Sequence, residues 1–145
     1  EHKAEVSTEP GEMISADQLH KWLKSNPAVQ RALFLAQEAA MLPSDRADEA
    51  LQLLEKATQL QPNAAYLYYN KGCVLGAQGR LDEARDAFTK ALTLDDRMAE
   101  AYYNRGVAAL LDGRAADALP NLSRAGELGI YRAYNLIKQA KKTLQ

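Results

Sequence analysis

Tyr68-Tyr69-Asn70-Lys71-Gly72 recurs thirty-four residues later as Tyr102-Tyr103-Asn104-Arg105-Gly106. The echo extends on both sides of this stretch. Gly79-Arg80 returns as Gly113-Arg114, Ala84 as Ala118 and Ala91 as Ala125. One period earlier, Ala84 falls on Ala50, Ala91 on Ala57, Tyr68 on Phe34 and Leu94 on Leu60, while Asp96 falls on Pro62. The first copy is looser: Glu38 stands in the glycine slot and Asp45 in the turn-glycine slot. A fixed period of this length marks a stack of like units, each a supersecondary element unable to bury its apolar face alone.

The residue types say what the unit is. Small residues at 72, 84, 106 and 118 allow two helices to approach closely, with aromatics filling the space between units. Gly79 and Gly113 suit short turns that require positive φ. In order, the second copy supplies Tyr68, Gly72, Ala84, Phe88 and Ala91. The third supplies Tyr102, Gly106, Ala118, Leu122 and Ala125, and the first Phe34, Ala50, Leu54, Ala57 and Pro62.

This order and period resemble the tetratricopeptide repeat family. The resemblance implies an all-α fold, a right-handed superhelical solenoid of antiparallel helix pairs, with repeats at 31–64, 65–98 and 99–132. Residues 1–14, with Pro10, Gly11 and several charges, read as a tail or linker ahead of a domain at 15–145. Ser15 and Gln18 form a capping-box start for a helix over 15–26, with Leu19, Trp22 and Leu23 on one face and Asn26-Pro27 as its stop. That helix reads as an N-terminal cap, or as the remnant of a longer array, and Trp22 as core. Gly126 and Gly129 close the third repeat. A capping helix follows over 131–145, with Leu136 and Ala140 inward and Lys138, Lys141 and Lys142 keeping its outer side wet. Pro120 lies early in the preceding helix on its outer face, so only a local distortion is expected.

The resemblance also implies a concave groove lined by the first helix of each repeat. Carried over, its face is Ala32, Leu35, Ala36, Ala39 and Leu42 in the first repeat. The second gives Tyr66, Tyr69, Asn70, Cys73, Gly76 and Ala77, and the third Glu100, Tyr103, Asn104, Val107, Leu110 and Leu111. The expected peptide-binding residues are Tyr66, Tyr69, Asn70, Tyr103, Asn104, Val107 and Leu110. Tyrosines offer rigid area with a polar tip, and asparagine amides both donate and accept. The bland alternative stands beside this: the asparagines tie helices together, and Tyr68 and Tyr102 are core. Relatives that hold acidic chaperone C-termini use a basic clamp. The slots here read Leu35, Ala39, Asn70, Glu100 and Asn104, so a neutral or hydrophobic segment of another protein is the expected partner.

Composition narrows the remaining classes. With 145 residues, 47% of them hydrophobic, and a net charge of −1, the chain is one domain without global attraction to phosphate backbones. Basic residues are dispersed rather than striped, so no nucleic acid partner is expected. No apolar run reaches the roughly 18 residues of a membrane span. Cys73 is the only cysteine, and it reads as a small groove or core residue rather than a reactive thiol. His2 and His20 lack ligand-spaced partners, so no metal and no cofactor is expected. Asp82-Glu83 and Asp95-Asp96 fall at helix ends, and no nucleophile–base pair or phosphate loop is present, so no enzyme is expected. The start at Glu1 reads as a trimmed piece of a longer protein. The compartment stays open between cytoplasm and bacterial periplasm, although Ala125–Tyr131 looks like the tails of bacterial tetratricopeptide proteins. Weak self-association through the apolar Leu35, Ala39 and Leu42 is the rival to peptide binding.

Overall fold

A computed structural model describes residues 13–145. The tail read at 1–14, with His2, Pro10 and Gly11, lies outside the described residues apart from Met13 and Ile14, which are exposed. Among the described residues there are eight α-helices and no strand. They are α1 (Ala16–Ser25), α2 (Pro27–Met41), α3 (Ala47–Leu60), α4 (Ala65–Ala77), α5 (Leu81–Leu94), α6 (Ala99–Leu111), α7 (Ala115–Glu127) and α8 (Ala133–Thr143). Each packs chiefly on its sequence neighbours, so the core runs along the stack as successive clusters. This is the all-α repeat fold expected from the period.

The helix ends follow the sequence signals. Ser15 Oγ accepts from the Gln18 amide while Gln18 Oε1 accepts from the Ser15 amide, at 3.1 and 2.9 Å, closing the capping box. Asn26 breaks the chain before Pro27, the first residue of α2. Gly79 and Gly113 sit at φ 74° and 73°. The amides of Arg80 and Arg114 reach back to Leu75 and Ala109 carbonyls at 3.0 and 2.8 Å, a six-to-one closure that needs the left-handed residue. Pro120 is exposed, and α7 continues through it.

Within each repeat the two helices meet at glycine. A Cβ added to Gly72 would stand 2.6 Å from the Phe88 ring, and one added to Gly106 would stand 2.9 Å from Leu122. Both glycines are buried. Around them Leu54, Phe88 and Leu122, one per repeat, fill equivalent sites at the 34-residue spacing. A second link repeats at the same spacing. The Tyr68 hydroxyl donates to the Pro62 carbonyl at 2.8 Å, and that of Tyr102 to the Asp96 carbonyl at 3.0 Å. These two tyrosines were expected in the core. They are instead half-buried, and their hydroxyls fasten the loop that precedes their own helix. Trp22 is also only partly covered, because α1 packs chiefly on α2 and buries none of its residues.

The first repeat departs from the simple period. Five residues (42–46), including a 3-10 turn at Ser44–Arg46, separate α2 from α3, against three (78–80) between α4 and α5. The two extra residues put α2 in a 36-residue relation to α4 rather than 34. Ala36 and Ala39 are therefore buried where Gly72 and Leu75 are, and Ala32 takes the place of Tyr68. Glu38 is not in the small-residue slot; it is exposed, and Phe34 is 50% exposed with the Arg31 guanidinium 5.5 Å over its ring. Asp45 does not stand in for a turn glycine either, since the longer loop needs no positive φ.

The glycines give opposite expectations. Gly106→Leu and Gly72→Leu are expected to destabilise by roughly 1–3 kcal/mol or more, because the facing side chains would have to move. Gly76, in the same helix as Gly72, would bring its new Cβ only to 3.8 Å from Ala84. Gly76→Ala is expected to stabilise by about 0.5–1 kcal/mol, the helix-propensity gain alone. Thermal or urea unfolding of the three variants checks the pair of signs.

Candidate functional site: a neutral groove along the first helices

Helices α2, α4 and α6 follow one another along one side of the stack, each presenting a face that its own pair does not cover. Tyr69, Asn70, Cys73, Asn104 and Val107 all keep some accessible surface there. Tyr66 packs partly onto the first core cluster, and Tyr69 onto the second, with its ring 5.8 Å from that of Phe88. The Asn104 amide donates to the Tyr69 hydroxyl at 3.0 Å and lies 3.9 Å from Cys73 Sγ. One asparagine thus does tie two repeats together. Asn70 makes no side-chain hydrogen bond among the described residues, and its amide stays available.

Two clefts open between these helices, and they are equivalent by position. One, of about 200 Å³ between α4 and α6, is lined by Gly72, Cys73, Gly76, Ala77, Leu81, Phe88, Asn104, Val107, Ala108 and Leu111. The other, of about 140 Å³ between α2 and α4, is lined by Ala36, Ala39, Ala40, Leu54, Asn70, Cys73 and Val74. Ala36, Ala40, Leu54 and Asn70 in the smaller match Gly72, Gly76, Phe88 and Asn104 in the larger. The match requires the 36-residue offset of α2. By that offset the first-repeat positions equivalent to Tyr69, Asn70, Cys73 and Gly76 are Leu33, Phe34, Gln37 and Ala40. The expected Ala32, Leu35, Ala36 and Ala39 are buried, with Ala36 and Ala39 forming part of the lining of the smaller cleft. Signals for the offset were present in the longer loop and in the run Ala36, Gly72, Gly106, but the looser 34-residue match masked them.

Neither cleft contains a charged side chain. The charge beside them is self-compensated: Arg132, from the α7–α8 connection, pairs with Glu100 at 3.1 Å and lies 4.4 Å over the Tyr103 ring. Sequence reasoning missed Arg132, which the fold brings across thirty residues. Tyr103 is therefore partly roofed. Leu110 is not part of either cleft; it packs onto the third core cluster alongside Leu136 and Ile137 of α8. Desolvation raises the pKa values of Tyr66, Tyr69 and Cys73 above their ordinary values, so all three resist ionisation. Among the described residues no group of three or more His, Cys, Asp or Glu side chains is placed to hold a metal ion. No helix among them is long and apolar enough to cross a membrane.

The family model described as tetratricopeptide repeat matches residues 69–127. Over those residues the chain is similar to the tetratricopeptide repeat. Solved tetratricopeptide domains share the fold at low identity. The first such domain of Spaghetti (RPAP3), bound to the HSP90 peptide SRMEEVD, has a TM-score of 0.75 at 22% identity, covering 80% of this chain and 97% of that one. The Arabidopsis OM64 domain gives 0.74 at 20% identity, covering 79% and 98%. MamA gives 0.71 at 24% identity, covering 87% and 74%. No curated protein matches the chain.

Within this groove Cys73 borders both clefts and is accessible, yet desolvation pushes its thiol above the usual range, opposed in part by its hydrogen bond with Tyr69 and reinforced to a lesser degree by the nearby Glu100 charge. Alkylation by N-ethylmaleimide is expected to be several-fold slower than for the urea-unfolded chain at neutral pH. It should accelerate as pH rises toward the raised thiol value, since the thiolate is the nucleophile. Mass spectrometry of the single cysteine over a pH series reads this directly.

Proposed function

We propose that this chain is a non-enzymatic protein-binding module that holds a neutral, apolar segment of another protein along α2, α4 and α6. The observation that supports this most is the uncharged lining of both clefts, flanked by tyrosine and asparagine side chains. The Spaghetti (RPAP3) domain binds a peptide with three acidic residues. With the offset of α2 taken into account, the basic-clamp slots of this chain are Leu33, Gln37, Asn70, Glu100 and Asn104. None is basic, and the nearby cation, Arg132, is already paired with Glu100. Nucleic acid is disfavoured for the same reason, because no row of cations tracks the groove.

The proposed contact residues are Tyr66, Tyr69, Asn70, Asn104 and Val107, with Tyr103 contributing the edge that Arg132 leaves open and Leu110 supporting from the core. A second reading, self-association, is favoured by the exposure of Phe34 and Met41 on α2, at 50% and 84%. Leu35 and Ala39, first considered for that contact, are buried and Leu42 largely so, and they cannot drive it. Light scattering across concentration separates the two readings.

The direct test is affinity capture from the organism of origin with wild type and the Asn70→Ala/Asn104→Ala double mutant, followed by titration of the retained protein. Binding near micromolar, about −8 kcal/mol, is expected for one short groove that must order a flexible segment. Affinity should change little between low and physiological salt, as screening acts on exposed charges. Unchanged binding by the double mutant, or a collapse with salt, would place the partner elsewhere on the molecule.

A further inference from the structure

The two clefts repeat one arrangement at successive helices. Each has an apolar floor, a small residue that leaves it open (Ala40 in one, Gly76 in the other) and one asparagine in its lining, Asn70 or Asn104. The third position of the series is filled, because the residue equivalent to Gly76 is Leu110, packed onto the core beside Leu136 and Ile137. Two sockets, not three, are therefore offered.

Their chemistry limits the occupant. A charged group entering either cleft would lose its hydration without meeting a counter-charge. An apolar cavity of ~150 Å³ accepts a group the size of one aromatic ring, so clefts of about 140 and 200 Å³ each suit one aliphatic or aromatic side chain. Their spacing limits it further. Packed helices lie about 8–10 Å apart, and the clefts repeat with the helices. A polyproline-II segment rises ~3.1 Å per residue with three residues per turn, so side chains i and i+3 share a face about 9 Å apart. A β-strand brings same-face side chains to about 7 or 13 Å instead. An α-helix at i and i+7 also spans the distance, but its backbone amides are already satisfied. The asparagine in each lining favours a backbone whose amides and carbonyls need partners. Asn70 has both functions of its amide available. Asn104 donates to Tyr69, and its carbonyl oxygen remains to accept.

We infer that the groove binds a neutral segment in polyproline-II conformation, seating apolar side chains i and i+3 in the α2–α4 and α4–α6 clefts with Asn70 and Asn104 bonded to its backbone. This rests on the groove reading given above and adds the sequence pattern of the occupant. Gly76 and Ala40 become the residues that decide it.

The probe is a set of acetylated, amidated peptides carrying two leucines at spacings of two, three, four or seven in a neutral Pro/Ser/Gln background. Binding is read by fluorescence titration and by protection of Cys73, which lines both clefts, from N-ethylmaleimide. The i, i+3 peptides are expected to bind tightest and to protect Cys73. Gly76→Leu and Ala40→Leu, each filling one cleft, should each weaken them about tenfold or more, the loss from expelling one buried side chain. Melting temperatures of both variants at or above wild type establish that the fold is intact. Preference for spacing seven would overturn the inference in favour of a helical occupant. Binding that is lost in Asn70→Ala/Asn104→Ala but indifferent to spacing and to both fillings would overturn it while leaving the groove reading in place. If no peptide protects Cys73 or responds to any of these variants, both fall together.

Discussion

The closeness of the two helices in each pair is the constraint on which the other features depend. At Gly72 and Gly106 the backbone of one helix lies directly against the Phe88 ring or the Leu122 side chain of its partner, and a single added carbon would collide. Such proximity fixes the angle and depth of each pair, and with them the surface offered to the next. A stack of pairs shares one core only if every pair has nearly the same shape, since each repeat contacts only its neighbours. The two tyrosine-to-carbonyl bonds, from Tyr68 and Tyr102, reproduce the geometry of the linking loops in the same way.

The groove is a consequence of that stacking. The first helices are covered on one side by their partners and on two sides by neighbouring repeats, leaving one strip open. What the strip presents depends on residues with no part in the pair contact. Gly76 is in the same helix as Gly72, yet its side of the helix has room for a side chain. One glycine holds the fold together and the other leaves space. Likewise Asn104 serves the structure through Tyr69, while Asn70, its equivalent one repeat earlier, makes no such bond. The groove is neutral because Arg132 and Glu100 compensate each other at its edge. The solenoid brings these two together across its third repeat.

The fold was legible because its determinants are local and periodic. Glycine at a helix–helix contact, glycine at a positive-φ turn and an apolar residue every three or four positions leave marks that recur with the repeat, and the second and third copies carry them almost intact. The first copy was legible in type but not in register. Its second helix, α3, keeps the 34-residue spacing through Ala50, Leu54 and Ala57. Its first helix is displaced by the two extra residues between Met41 and Ala47. Alanines at 32, 36, 39 and 40 are too alike to reveal that displacement from the sequence. The chain's strongest aromatic match, Phe34, pointed to the wrong slot.

The sequence by itself determined the helical repeat, the turns at Gly79 and Gly113, the close pairs at Gly72 and Gly106 and the near-absence of charge from the groove-facing positions of α4 and α6. Each depends on a residue's own backbone freedom, size or charge, and these need no knowledge of distant partners. Tertiary structure decided which face of α2 is buried, whether an asparagine is occupied or open, where Arg132 comes to rest and which clefts remain unfilled. Those outcomes depend on what side chains from other repeats occupy. An empty volume such as the one beside Gly76 exists only after the surrounding helices have packed, because it is defined by atoms from several of them at once.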